Sequence, residues 1–146
     1  MQPLMRASSD LRATDWKDAV QQAATLLVDA GAAESTYPAA CVRVVEENGP
    51  YIVLAPGIAL VHARPEDGGN SVGIAAARTT PPVAFGHPQN DPVDVLLAFC
   101  TTDPDAHVDA VRALAKALSS GLAQRLRDAQ DSDAMTLELE AVFSNG

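Results

Sequence analysis

Residues 93–101, Val-Asp-Val-Leu-Leu-Ala-Phe-Cys-Thr, constrain the fold more than any other stretch of the chain. A strand with one face in water alternates apolar and polar side chains. This one carries a single charge, Asp94, among apolar neighbours, which marks a strand buried on both faces. Such a strand lies inside a sheet and needs helices packed above and below it.

The flanking sequence supplies those helices. Thr14 reads as an N-cap with Asp15 in the first turn. Trp16, Ala19, Val20, Ala23, Leu26 and Leu27 then recur at helical spacing, and Gly31 supplies the stop. A second helix is predicted over 35–47, with Pro38 in its first turn and Tyr37, Cys41, Val44 and Val45 as its buried stripe. Beyond the apolar run, Asp103 suits an N-cap, Pro104 the first helical position and Asp105 the first turn. That helix turns Val108, Val111, Leu114, Ala115 and Leu118 to one face. A short helix over 122–129 and a last one from 131–133 onward follow, the last with Met135, Leu137, Leu139, Ala141 and Val142 partly buried.

Other strands are predicted over 51–55, 58–61, 72–78 and 83–85, with Thr79-Thr80-Pro81-Pro82 as a break. Residues 1–13 are aperiodic and predict a flexible arm, leaving 14–146 as the folded domain. Helices before, between and after strands predict one three-layer α/β/α domain around a mixed, mostly parallel sheet.

The chain has 146 residues, 47% of them hydrophobic but only 4% aromatic, so its core must be built of Ala, Val and Leu. A formal charge of −9 argues against a nucleic-acid-binding surface and suits a partner with a basic docking face. Cys41 and Cys100 sit in apolar surroundings and read as a reduced, buried pair. No apolar run approaches the ~20 residues of a membrane span. Residues 1–14 lack an apolar signal-peptide core, so a cytoplasmic location is expected.

Chemistry concentrates at two histidines. Two short apolar runs separated by Pro56-Gly57 deliver His62 to a strand end, where Ala63-Arg64-Pro65 stops regular structure. Ligand and catalytic groups of open α/β sheets gather at strand ends. His107 lies in the first turns of the helix that follows the central strand. If the two strands are neighbours, the rings meet. Histidine suits reversible phosphoryl transfer, because its neutral ring nitrogen is a nucleophile and the N–P bond it forms stays reactive. Arg64, two residues after His62, is a candidate phosphate contact or a solvated loop arginine. His87, between Gly86 and Pro88, reads as a loop residue without a role. Asn90-Asp91-Pro92 reads as a turn built by side-chain to backbone bonds.

The segment Gly49-Pro50-Tyr51-Ile52-Val53-Leu54-Ala55-Pro56-Gly57-Ile58-Ala59-Leu60-Val61-His62-Ala63-Arg64-Pro65-Glu66 resembles the phosphohistidine segment of the enzyme IIA component of the bacterial sugar phosphotransferase system. The branch is the mannitol/fructose superfamily, and the ascorbate-type subgroup looks most similar. Phe85-Gly86, Asn90-Asp91-Pro92-Val93 and His107 extend the resemblance along nearly the whole chain. It implies His62 as phosphoryl acceptor and His107 as stabiliser or orienter of the phosphoryl group. It implies the histidine carrier protein HPr as donor and a cysteine of an enzyme IIB partner as recipient. A membrane permease IIC would then act downstream, during uptake of ascorbate or a related carbohydrate. No cofactor is implied, because both transfers are direct. The oligomeric state stays open, a homo-oligomer included.

Two departures from that family accompany the resemblance. Val61 stands where relatives usually carry Pro before the phosphorylated His. The places where mannitol-type relatives carry an Arg and a Glu fall here on Glu46 and Pro56, with Arg43 one helical turn from the first. Two alternatives remain: a regulatory member that binds partners according to phosphorylation state, and a metal site formed by His62, His87 and His107. No His-x-x-His or Glu-x-x-His spacing supports the latter.

Overall fold

A computed structural model describes residues 3–144. In chain order the elements are β1 (Leu4–Leu11), α1 (Trp16–Asp29), α2 (Tyr37–Asn48), β2 (Val53–Ala55), β3 (Ile58–Val61), β4 (Gly73–Val83), β5 (Val93–Cys100), α3 (Pro104–Ser119), α4 (Leu122–Asp128) and α5 (Ser132–Ser144). The sheet order is β1-β4-β5-β3-β2. β5 is therefore central, and seven of its eight residues are buried.

Side-chain alternation on β5 sorts the core into two halves. Leu96, Ala98 and Cys100 join the layer beneath α1 and α2. Val95, Leu97 and Phe99 join the layer beneath α3, α4 and α5. This is the three-layer arrangement that the apolar run predicts. The sheet is mixed: β1/β4 and β3/β5 are parallel, β2/β3 and β4/β5 antiparallel. Parallel pairs therefore do not outnumber antiparallel ones, because β4 runs against its central neighbour.

The largest departure from expectation is at the start of the chain. Residues 4–11 are not a flexible arm but an edge strand in parallel register with β4. Ser132 Oγ accepts the Ser9 N–H and so shields part of the edge. Two helices consequently do not precede the first strand; they follow it. Residues 1 and 2 of the expected arm lie outside the described residues.

Smaller corrections have local causes. The cap of α1 is Asp15, whose carboxylate accepts the Asp18 N–H, while Thr14 donates back to the Asp18 carboxylate. β4 runs through Pro81-Pro82 as one strand, although its register with β5 shifts between Arg78 and Val83. The two prolines are exposed, where a missing donor costs no buried ladder bond. Tyr51 and Leu54 are about half exposed, so the predicted strand over 51–55 is a short edge strand. On α3, Val108 is 49% exposed and Ala110 and Leu114 are buried, which moves the packed face round to the side carrying His107. On α5, Met135 and Leu139 are buried but Leu137 is 64% exposed. No helix among the described residues is long and apolar enough to cross a membrane.

Candidate functional site

The hairpin β2–β3 turns on Pro56-Gly57. Gly57 has φ +78°, and a Cβ there would lie 2.7 Å from both Arg127 and Asp94 side chains. Glycine is thus required twice over, by the turn and by the close approach. β3 then runs parallel to β5 with Val61 opposite Ala98. Val61 is fully buried and continues the strand to the position just before His62. With side chains alternating along β3, Leu60 and His62 face the α3 side, the same side as Phe99.

Phe99 is a buried shelf for two imidazoles. The His62 ring stacks on it with centroids 5.1 Å apart and planes 16° apart. The His107 ring tilts against it at 5.0 Å. The two histidine rings meet edge to face at 5.6 Å. Tyr51 approaches His62 from another side at 6.3 Å. His107 reaches this point because Asp103 caps α3 as expected, its carboxylate accepting the Ala106 N–H.

His62 Nδ1 lies 3.0 Å from the Leu60 carbonyl oxygen. A carbonyl only accepts, so Nδ1 carries the proton and Nε2 presents a lone pair. The His62 pKa is lowered, chiefly by burial and also by the nearby His107, against the opposing Leu60 bond. The ring is therefore neutral and nucleophilic at neutral pH, with its tautomer set by the backbone.

A cleft of about 390 Å³ opens beside the ring, lined by Ala40, Arg43, Val44, Glu47 and Asn48 of α2, and by Tyr51, His62, Ala63, Arg64, Asp67 and His107. Arg64 lies in it as expected, but its side chain is 73% exposed and its guanidinium is held by Asp67 at 3.3 Å. Arg43 and Glu47 share one helical edge. Glu46, the position at the family's arginine offset, pairs instead with Lys17 at 2.9 Å.

The N-terminus of α3 offers an anion few free donors. Pro104 has no N–H, Ala106 donates to the Asp103 carboxylate and His107 donates to the Asp103 carbonyl. Asp103 and Asp105 also place negative charge there. His107 thus contributes its side chain rather than a cradle of free amides.

His87 is not part of the site. Its loop precedes β5, at the opposite end of the sheet, and its Nδ1 accepts the Gln89 and Asn90 N–H groups. Asp91 accepts from Phe85 and Gly86 and organises the same loop, as the sequence implies. The three histidines do not converge, and no metal-holding group of three His, Cys, Asp or Glu residues occurs among the described residues. Burial pushes the Cys41 and Cys100 thiols up to about 12 and about 11, so neither supplies a thiolate at neutral pH.

Sequence reasoning did not single out Tyr37, Asp67 or Phe99 as site residues. Tyr37 and Phe99 read as ordinary core; only three-dimensional packing shows what they touch. Arg43 had a sequence signal, its nearness to the family's arginine offset.

The family model described as "Phosphoenolpyruvate-dependent sugar phosphotransferase system, EIIA 2" matches residues 6–141. A protein of Shigella boydii serotype 4 (strain Sb227) named ascorbate-specific PTS system EIIA component is 43% identical over 95 residues, 65% of this chain and 62% of that protein. The chain thus matches somewhat under two thirds of that relative's length. The solution structure of the mannitol-specific cryptic phosphotransferase enzyme IIA CmtB from Escherichia coli superposes with a TM-score of 0.77 at 29% identity, covering 95% of this chain and 92% of that one. The same fold occurs in the complex of enzyme IIAMTL and phosphorylated enzyme IIBMTL from Escherichia coli, with a TM-score of 0.75 at 19% identity, covering 96% of this chain and 94% of that one.

Proposed function

Since the chain belongs to the EIIA 2 family of the phosphoenolpyruvate-dependent sugar phosphotransferase system, we propose that it is a phosphohistidine carrier with His62 Nε2 as the phosphoryl acceptor. The observation that carries this reading is the neutral His62 ring, tied through Nδ1 to Leu60 and meeting His107 at 5.6 Å.

In the first transfer the Nε2 lone pair attacks the phosphorus of phospho-HPr. The N–P bond of the donor breaks, and its electron pair returns to the donor ring. The Nδ1 proton stays on His62, shared with the Leu60 carbonyl, so no proton must leave for the bond to form. In the second transfer a IIB cysteine thiolate attacks the same phosphorus, and the Nε2–P electron pair returns to His62. The solved complex of a IIA of this fold with phosphorylated IIB supports that recipient. No cofactor enters either step.

His107 stands beside the acceptor and stabilises or orients the phosphoryl oxygens. Arg43 and Arg64 line the same cleft and place positive charge within reach of an anion there. Arg64, already held by Asp67, contributes less. The name of the Shigella relative supports ascorbate or a related carbohydrate as the transported solute, with a IIC permease downstream. The protein would then work in the cytoplasm. A regulatory member that responds to phosphorylation state needs the same acceptor histidine; the ascorbate-specific name of the Shigella relative favours the transport reading.

The test is phosphotransfer. The protein is incubated with enzyme I, HPr and labelled phosphoenolpyruvate, alongside His62→Ala and His107→Ala. An acid-labile, base-stable label that vanishes in His62→Ala and forms slowly in His107→Ala supports both roles. Absence of label on the wild type with its cognate HPr overturns the carrier reading.

A further inference from the structure

We propose that Tyr37 is the positioning residue of the His62 site. This rests on the carrier reading above. Its phenolic oxygen is pinned between the two strand ends that deliver the site. It donates to the Phe99 carbonyl at 2.8 Å and accepts the Ala63 N–H at 3.0 Å. Ala63 is the residue after His62, and Phe99 is the shelf on which both histidine rings rest. One hydroxyl therefore joins the backbone at the acceptor to the backbone beneath it.

Three observations separate this role from ordinary packing. Tyr37 is 1% exposed, so it touches neither solvent nor a docking partner. Burial, the largest cause, raises its pKa well above the ordinary tyrosine value, so the hydroxyl keeps its proton and remains a donor throughout the working range. The restraint also falls where the chain lacks another. Residues 58–61 are held in β3, but regular structure ends at His62, and the first backbone donor beyond the ring is that of Ala63. Without the hydroxyl, the Leu60 bond still sets the tautomer of His62, but the side-chain link that joins the backbone after the ring to the Phe99 backbone is lost. Transfer is sensitive to such angles, because reacting atoms must be held near the attack geometry.

The experiment compares wild type, Tyr37→Phe and Leu27→Val. The last is a core substitution remote from the histidines that controls for general loosening. Single-turnover transfer from phospho-HPr is measured over donor concentration, and the His62 ring protons are followed by NMR. In the wild type, stacking on Phe99 shields these protons through its ring current. Tyr37→Phe is expected to lower the maximal transfer rate about 10-fold or more. It should leave the concentration of half-saturation unchanged and move the His62 ring protons downfield. Leu27→Val should change none of these.

A Tyr37→Phe rate and ring shift equal to wild type would overturn the positioning role while leaving the carrier reading intact. A wild type that takes no label defeats the carrier reading itself. In that event the ring shifts alone still test the clamp. Should Tyr37→Phe not fold, 3-fluorotyrosine placed at position 37 alone replaces it. Its more acidic hydroxyl strengthens donation to Phe99 and weakens acceptance from Ala63. Displaced His62 resonances then support the role, and unmoved ones overturn it.

Discussion

The two ends of the sheet both gather nitrogen-bearing side chains, but they use them differently. At the end opposite the histidines, Arg78 donates to the carbonyls of Ser9, Leu126, Arg127 and Ala129. Arg127 grips Asp94 through two nitrogens, at 2.8 and 2.9 Å. These charges are occupied in joining β1, β5 and the C-terminal end of α4. At the histidine end, the carbonyl of Leu60 occupies one nitrogen of His62 and leaves the other open. Arginine with its donors engaged makes architecture. A neutral ring with one engaged and one free nitrogen can do chemistry and return to its starting state.

Substitutions at the two ends should therefore fail in different assays. His62→Ala is expected to lower phosphoryl acceptance by about 10³-fold or more, because it removes the acceptor nitrogen itself. Its urea midpoint should fall less than that of Arg78→Ala, since the ring lies at the end of the sheet and is only partly buried. Arg78→Ala should show the converse. Loss of charge-assisted bonds to several carbonyls costs about 2–3 kcal/mol in urea unfolding, with transfer within about 2-fold of wild type once folded protein is selected. A large loss of transfer in Arg78→Ala would erase the distinction between the ends. His107→Ala should slow transfer roughly 10- to 100-fold, read as a single-turnover rate.

A fourth prediction concerns pH. The folded His62 pKa lies below its ordinary value near 6.5, chiefly through burial. The unfolded chain thus binds this proton more readily than the folded one. Above pH 6.5 the group contributes no pH dependence to stability. As pH falls through that value, the unfolded state gains protons first and stability declines. Urea midpoints measured from pH 7.5 to 5 should fall less steeply in His62→Gln than in wild type. The smallest effect is expected at Arg64→Ala. Its guanidinium is mostly exposed and paired with Asp67 in a contact that solvent screens. Transfer should change less than about 3-fold.

Much of this site was legible before any coordinates. His62 after two apolar runs, and His107 behind an Asp103-Pro104 cap, both follow from local patterns, and both stand where those patterns put them. The helical face of α3 was misphased by local reading. Val108 outranks Ala110 in hydrophobicity, yet Ala110 is buried and Val108 half exposed. Small residues allow a helix to approach a sheet closely, and hydropathy undervalues them. β1 escaped notice for a related reason. Its sequence, Leu-Met-Arg-Ala-Ser-Ser-Asp-Leu, has no alternation, and its order comes from pairing with β4 some seventy residues later. Likewise, Tyr37 scans as one member of an apolar stripe. That its hydroxyl reaches Phe99 and Ala63 is a fact about strands distant in sequence.

By itself the sequence determined the central strand, the layers on both its faces, the helix caps and the residue types capable of phosphoryl chemistry. Each of these depends on contacts within a few residues or on a period set by backbone geometry. Only the tertiary structure decided which rings meet, which nitrogen of His62 is free, which arginine faces the cleft and which tyrosine clamps the strand ends. Those are distances between segments far apart along the chain. They follow from the register of β3 on β5 and the seating of α2 and α3, which no local pattern encodes.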